Sequence, residues 1–310
     1  MNEGKIEMKF KSELLFMSKI LRKLKLKQCS LLFNTWRHNQ IKKEIELLLD
    51  RCFARENNKT MEKNKTDLEN MIWVFWWQGI EQMPDLVRSC YRSLVTQLYD
   101  KNIVLITKEN IKDYCTFPKY IFQKLESGQI TLTQLSDILR FDLLAHYGGL
   151  YTDATVFWTG NISSEKFLDL YTCGGYSDEY YFNVSKGRWT GFLIGGCKEN
   201  PLFSFMYNFF LEYWKLNDEL IDYFLIDYAL DYAYRKNIGF FRDYVDNVAP
   251  LNNPNLFELM EIRNEQYSRN GKEELMTATC AFKLSYKKMY DADKNTYASQ
   301  IVFGNNDGEI

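Results

Sequence analysis

The chemistry-bearing residues of this chain crowd into one stretch, Leu135-Ser-Asp-Ile-Leu-Arg-Phe-Asp-Leu-Leu-Ala-His-Tyr-Gly-Gly-Leu-Tyr-Thr-Asp-Ala-Thr-Val-Phe-Trp158. Asp137 and Arg140 are three apart, so on a helix they share one edge. Tyr151, Asp153 and Thr155 are two apart, so on a strand they point to one face. Gly148-Gly149 between them folds the helix end against the strand end. The expected product is one edge carrying Asp137, Arg140, Tyr151, Asp153 and Thr155. Carboxylates beside a fixed guanidinium suit sugar hydroxyls, and a carboxylate at a strand end suits a hard divalent cation.

The positioning elements are legible around these residues. Leu135, Ile138, Leu139 and Leu143 form the apolar stripe of a core-facing helix. Thr133 is the expected N-cap, and the glycine pair supplies a left-handed exit. Leu150 to Trp158 is aromatic and β-branched, as a strand requires.

Ser-Asp-x-x-Arg followed by Gly-Gly-x-x-x-Asp resembles the sugar-nucleotide signature of family 32 glycosyltransferases and their bacterial capsular polysaccharide relatives. It is also similar to the catalytic domains of the large clostridial glucosylating toxins. The resemblance implies that Ser136, Asp137, Arg140, Tyr151 and Asp153 hold a donor sugar, with Asp137, Arg140 and Asp153 in catalytic roles. It implies retention of anomeric configuration and a divalent metal, manganese or else magnesium, on an Asp-x-Asp motif. The second Asp of that motif is Thr155 here, so the metal ligands would be Asp153 and, weakly, Thr155. Asp-Ala-Thr is the form that resembles the capsular branch.

Upstream, Met71 to Gly79 reads as a buried first strand, Asp85 to Leu98 as a helix and Asn102 to Thr107 as a second strand. This is a βαβ unit, and open α/β sheets bind ligands beyond the carboxyl ends of their strands. Trp76, Trp77, Gln78 and Asn110 lie at those ends. The resemblance implies a Trp stacked on uracil, assigned to Trp76 with Trp77 as runner-up. No Gly-x-Gly-x-x-Gly or Walker sequence occurs, which argues against dinucleotide and P-loop chemistry. The expected fold is α/β: a GT-A-like single Rossmann-type nucleotide-sugar domain with a mixed sheet, preceded by a helical N-terminal extension.

Downstream, residues 167 to 178 read as a connection, Trp189 to Gly196 as a strand, and Leu202 to Tyr213 as a helix capped by Asn200-Pro201. Ile221 to Asp231 reads as a further helix that resembles a segment of the capsular relatives. The resemblance makes Asp222 or Asp227 candidates to approach donor or acceptor. Phe282 to Lys288 resembles the family's closing segment, in which Lys283 or Lys287 would meet the diphosphate. Asp291-Ala-Asp293 is a literal Asp-x-Asp without a preceding buried strand, and is set aside.

Composition narrows the classes. Aromatic residues make up 16% of the 310, which suits either a site for ring-shaped polar ligands or simply a Tyr- and Phe-rich core. Seven scattered cysteines without a CxxC argue for a reducing compartment and against disulfides or structural zinc. Two histidines leave little room for His-based catalysis. Residues 1–70 hold 16 Lys+Arg against 10 Asp+Glu, whereas the remainder holds 23 against 31. Residues 1–55 are therefore expected to be a basic amphipathic extension that lies on an anionic membrane surface. The same pattern also fits a solvated helical hairpin packed on the main domain. Residues 56–70 read as a polar linker and 71–310 as the transferase domain. An acidic domain without a recognised motif argues against nucleic acid. No apolar run spans a membrane.

The expected function is transfer of a hexose, glucose or galactose, from a UDP-sugar to a lipid-linked oligosaccharide in capsule or exopolysaccharide synthesis. The expected place is the cytoplasm, peripheral on the inner face of the plasma membrane. A protein-modifying toxin-like transferase and an inactive membrane-bound scaffold are the alternatives. A glycoside hydrolase using Asp137 and Asp153 is a further rival. It is disfavoured by the expectation that Arg140 lowers the Asp137 pKa.

Overall fold

The computed structural model of the chain describes residues 11–56, 70–167, 169–292 and 294–304. Most of the expected linker, Asp293 and the first ten residues of the expected extension lie outside them.

The sheet is built on β1 (Met71–Phe75), which pairs in parallel with β2 (Asn102–Ile106) on one side and β3 (Gly149–Asp153) on the other. The antiparallel strands β5 (Leu170–Thr172) and β6 (Leu193–Gly196) complete the order β2-β1-β3-β6-β5. A second, two-stranded sheet pairs β4 (Val156–Trp158) with β7 (Ala281–Lys283). Period-two alternation divides β1 between two cores, Trp73 and Phe75 facing one and Ile72 and Val74 the other. Burial on both faces is why its sequence is a continuous apolar run.

Helices cover the sheet. In chain order after the N-terminal pair they include α3 (Asp85–Gln97), α4 (Ile111–Tyr114), α5 (Lys119–Glu126), α6 (Leu132–Tyr147), α7 (Pro201–Leu216) and α8 (Leu225–Lys236). The mixed α/β architecture with its five-stranded mixed sheet and helical N-terminal region is that of a GT-A-like domain.

Helix α6 starts two residues earlier than its sequence suggests. Thr131, not Thr133, is the N-cap: its hydroxyl accepts from Gln134 N while the Gln134 side chain accepts from Thr131 N at 2.6 Å. This reciprocal capping box satisfies two amide groups at once, which Thr133 could not do. The stripe Leu135, Ile138, Leu139 and Leu143 is fully buried. The helix leaves through Gly148 and Gly149 with φ of 70° and 93°. A Cβ on Gly149 would lie 2.4 Å from the Met71 carbonyl oxygen, so only glycine lets β3 start against β1.

Three other elements differ from expectation. β3 ends at Asp153 and the chain turns through Ala154-Thr155 into β4, so Thr155 is not on the strand with Tyr151 and Asp153. The segment expected to be only a connection contains β5, three residues too short to show a period. The last helix expected around Asp222 begins at Leu225. Asp222 precedes it, accepting a hydrogen bond from Phe224 N at 2.9 Å.

The N-terminal pair, α1 (Lys11–Lys23) and α2 (Lys27–Glu56), splits by burial rather than at residue 55. Ile41, Ile45, Leu48, Leu49 and Cys52 share one core with α6, α7 and the sheet, so the second half of α2 is domain structure. Arg37 forms a fully buried ion pair with Asp222. His38 receives the Tyr228 hydroxyl at 2.7 Å and its other ring nitrogen meets Tyr181 O at 3.1 Å. Burial first, then the neighbouring Arg37, pushes the His38 pKa down to about 3, so the ring is neutral. At the hairpin end the picture reverses. Phe16 is 64% exposed and Leu32 75%, with Met17, Leu24, Leu26 and Trp36 also exposed among Lys19, Arg22, Lys23, Lys25 and Lys27.

Candidate active site

The α6 edge and the carboxyl end of β3 meet around one guanidinium. Arg140 donates through Nη1 to Gly191 O at 2.5 Å and through Nη2 to Ser136 Oγ at 3.2 Å. The same Nη2 lies 3.2 Å from Asp137 Oδ1 and 3.5 Å from Asp153 Oδ1. Its plane packs over the Tyr151 ring at 4.7 Å, and the Tyr151 hydroxyl meets Ser136 Oγ at 2.8 Å. Side-chain exposure separates roles: Arg140 is 6% exposed, Asp137 15% and Asp153 28%. Arg140, Ser136 and Tyr151 form a closed brace, and the carboxylates are the open face.

Asp227 joins this group from α8. It accepts the Trp189 indole N–H at 2.9 Å, and its carboxyl is pushed up to about 6 by burial, opposed by Trp189 and Arg140. Burial likewise pushes Asp137 up to about 7, against the pull of Arg140 and with the help of Asp153 and Asp227. The sequence-based expectation that Arg140 lowers the Asp137 pKa is thus reversed, because desolvation outweighs one ion pair. The electrostatic objection to a hydrolase falls with it. What replaces that objection is Asp153, whose two oxygens are both held by cations and are poorly placed to serve as base or nucleophile.

The raised Asp137 pKa has a stability consequence. Between about pH 4 and pH 7 the folded chain keeps a proton that the unfolded chain releases, so this contribution is present at low pH and lost as pH rises through that window. Asp137→Asn removes it. The variant is expected to gain on wild type by on the order of 2–4 kcal/mol between about pH 5 and pH 8. Urea unfolding at both pH values checks this, and a pH-independent difference contradicts it.

The other cation on Asp153 comes from β7. Its pairing places Lys283 opposite Val156, and Leu284 N bonds Thr155 O at 2.9 Å. Lys283 Nζ then donates to Asp153 Oδ2 and to Thr155 Oγ1, each at 2.7 Å, with its ammonium 4.5 Å from the centre of the Phe192 ring. Asp153 and Thr155 therefore do converge, through the turn and this lysine rather than through strand alternation.

That arrangement bears on the metal expected at Asp153 and Thr155. A dication there needs carboxylate oxygens free to bind it, and both Asp153 oxygens and the Thr155 hydroxyl already face Arg140 or Lys283. Among the described residues no group of three or more His, Cys, Asp or Glu side chains is arranged to hold a metal. These residues do not fit a resident divalent cation.

The remaining candidates separate. Phe75 pairs with Asp153, so Trp76 and Trp77 leave β1 beside the site. Trp76 meets the Tyr286 ring edge-on at 6.1 Å, while Trp77 turns to Phe75 at 6.3 Å. Gln78 is exposed. Asn110 braces the end of β2 instead, accepting from Thr107 N at 2.7 Å and donating to Leu105 O at 2.9 Å. Lys287 is exposed with its ammonium 6.0 Å from the Tyr286 ring. Asp222 is buried in its ion pair with Arg37. Two residues escaped the sequence reading. Tyr286 lies within the closing segment, but only its lysines drew attention. Tyr223, still partly exposed, has its pKa raised by the partial burial of its hydroxyl and by Asp137, Asp153 and Asp227 nearby. Neighbouring Asp222 in sequence was its one available signal.

Comparison with known proteins adds the following. A 30-residue stretch is 50% identical to the Kunitz-type serine protease inhibitor vestiginin-2 of Demansia vestigiata, covering 10% of this chain and 36% of that protein. The chain thus spans about a third of that protein's length, and so short a match carries no functional argument. No solved structure matches the chain. The profile of the capsular polysaccharide synthesis proteins matches residues 19–301, which takes in the end of α1, all of α2, the sheet, the Arg140 group and the β7 lysine. The chain belongs to the capsular polysaccharide synthesis protein family.

Proposed function

We propose that this chain is a retaining hexosyltransferase that moves glucose or galactose from a UDP-sugar to a lipid-linked saccharide in capsule or exopolysaccharide synthesis. The observation that carries the reading is the Arg140 brace, which presents Asp137 and Asp153 side by side at a strand's carboxyl end. Carboxylates so fixed bind vicinal sugar hydroxyls without paying to order themselves. Trp76 and Tyr286 offer aromatic faces for the base, and Lys283 a positive charge for the diphosphate.

In this reading the acceptor hydroxyl oxygen bonds to the anomeric carbon as the bond from that carbon to the diphosphate oxygen breaks. The leaving UDP keeps the bonding pair. The hydroxyl proton passes to a diphosphate oxygen on the same face. Lys283 meets the charge that grows on the leaving group, the interaction that most lowers such a barrier. Asp227 and Tyr223 are the candidates to meet the acceptor.

The lipid-linked acceptor is supported by the exposed end of the N-terminal hairpin, where Phe16, Leu24 and Leu26 lie among Lys19, Arg22, Lys23, Lys25 and Lys27 and are followed by exposed Leu32 and Trp36. That composition suits an anionic bilayer surface and supports a peripheral position on the inner face of the plasma membrane. No helix among the described residues is long and apolar enough to cross a membrane. Release of sugar by the purified chain from a panel of UDP- and GDP-hexoses tests the reading. Turnover of one UDP-hexose is expected; silence across the panel overturns it.

A further inference from the structure

We infer that Lys283 stands where a divalent cation would otherwise sit, so that this chain binds and turns over its nucleotide sugar without metal. The inference rests on the transferase reading above and settles what neutralises the diphosphate within it.

Four observations carry it. The Lys283 ammonium bridges Asp153 Oδ2 and Thr155 Oγ1 at 2.7 Å each, the two side chains that an Asp-x-Asp site would use. The other Asp153 oxygen faces Arg140 at 3.5 Å, so no oxygen of this carboxylate is free of a cationic partner. Lys283 is held there by its backbone: it pairs with Val156 across β4, and its N–H bonds Leu256 O at 2.7 Å. Finally, the position that would carry a second carboxylate is Thr155, whose neutral hydroxyl can accept from an ammonium but adds no charge for a dication.

Charge decides between the two occupants. A dication entering beside Arg140 and Lys283 meets two positive groups at contact distance, while the carboxylates nearest it, Asp137 and Asp153, are already paired with them. An ammonium with three donors spends two on Asp153 and Thr155 and keeps one for a phosphate oxygen. Thr155 in place of a second Asp and Lys283 bonded to it are therefore complementary, a cationic side chain at a would-be cation site.

Calorimetric titration of the full chain with UDP, in chelator and then in excess manganese, tests this. Wild type is expected to bind UDP equally in both, within about twofold. Lys283→Met, which keeps an unbranched side chain at that position, is expected to bind about 10- to 100-fold more weakly in chelator. Adding Thr155→Asp to Lys283→Met is expected to restore UDP binding only when manganese is present, so the exchange can be run backwards. Wild-type binding that appears only with manganese, or a folded Lys283→Met that binds like wild type, overturns the inference and leaves the transferase reading standing. Failure of UDP to bind under either condition overturns that reading, and this inference with it.

Discussion

Arg140→Ala is expected to cut UDP-hexose turnover by on the order of 100- to 1,000-fold and to destabilise the chain by about 3–5 kcal/mol. One guanidinium serves Gly191 O, Ser136, Asp137 and Asp153, and caps the Tyr151 ring. Removing it strands Asp137 and Asp227, already raised by burial, with no shared countercharge. Arg140→Lys should recover little, because a single ammonium cannot span partners on α6, β3 and the Gly191 loop as a planar fork does. Turnover and urea unfolding on the two variants check both halves. An Arg140→Lys enzyme with near wild-type turnover contradicts the bracing role.

Arg37→Ala is expected to cost about 3–5 kcal/mol for a different reason. Arg37 and Asp222 are both fully enclosed, and either one left alone is an uncompensated buried charge. Burial pushes the Asp222 pKa up, against the pull of Arg37. Among the described residues Arg37 Nε and Nη1 find no hydrogen-bond partner, so the pair is not fully satisfied. Arg37→Met combined with Asp222→Leu should therefore lose less than either alanine variant alone. The folded fraction of Arg37→Ala should keep its turnover, since Arg37 and Asp222 are spent on each other and on tying α2 to the approach of α8. A loss below about 1 kcal/mol in urea unfolding contradicts the assignment.

What was legible in the sequence was what depends on local spacing. The α6 stripe, the glycine exit and the Asp137–Arg140 edge follow from helical period and backbone sterics, and all lie where expected. Tyr151 and Asp153 share a face because strand period is fixed. Thr155 could not be placed that way, because a turn begins at Ala154 and nothing in the period announces it. Lys283 and its hold on Asp153 depend on a pairing between strands about 130 residues apart, set by the partners' geometry rather than by either sequence. The direction of the Asp137 shift was missed for a related reason: spacing shows the neighbouring Arg140, but not the burial that outweighs it. Asp222 looked like a site residue because its segment resembles one. Its partner Arg37 lies far upstream, in a helix whose basic residues drew attention to its surface rather than to its buried face.

The most direct measurement of the central claim is a crystal structure of the chain with a non-hydrolysable UDP-hexose bound. The account predicts hexose hydroxyls on Asp137, Arg140 or Asp153, the diphosphate on Lys283 with no metal ion between them, and the uracil against Trp76 or Tyr286. A donor bound elsewhere, with the Arg140 group untouched, would contradict it.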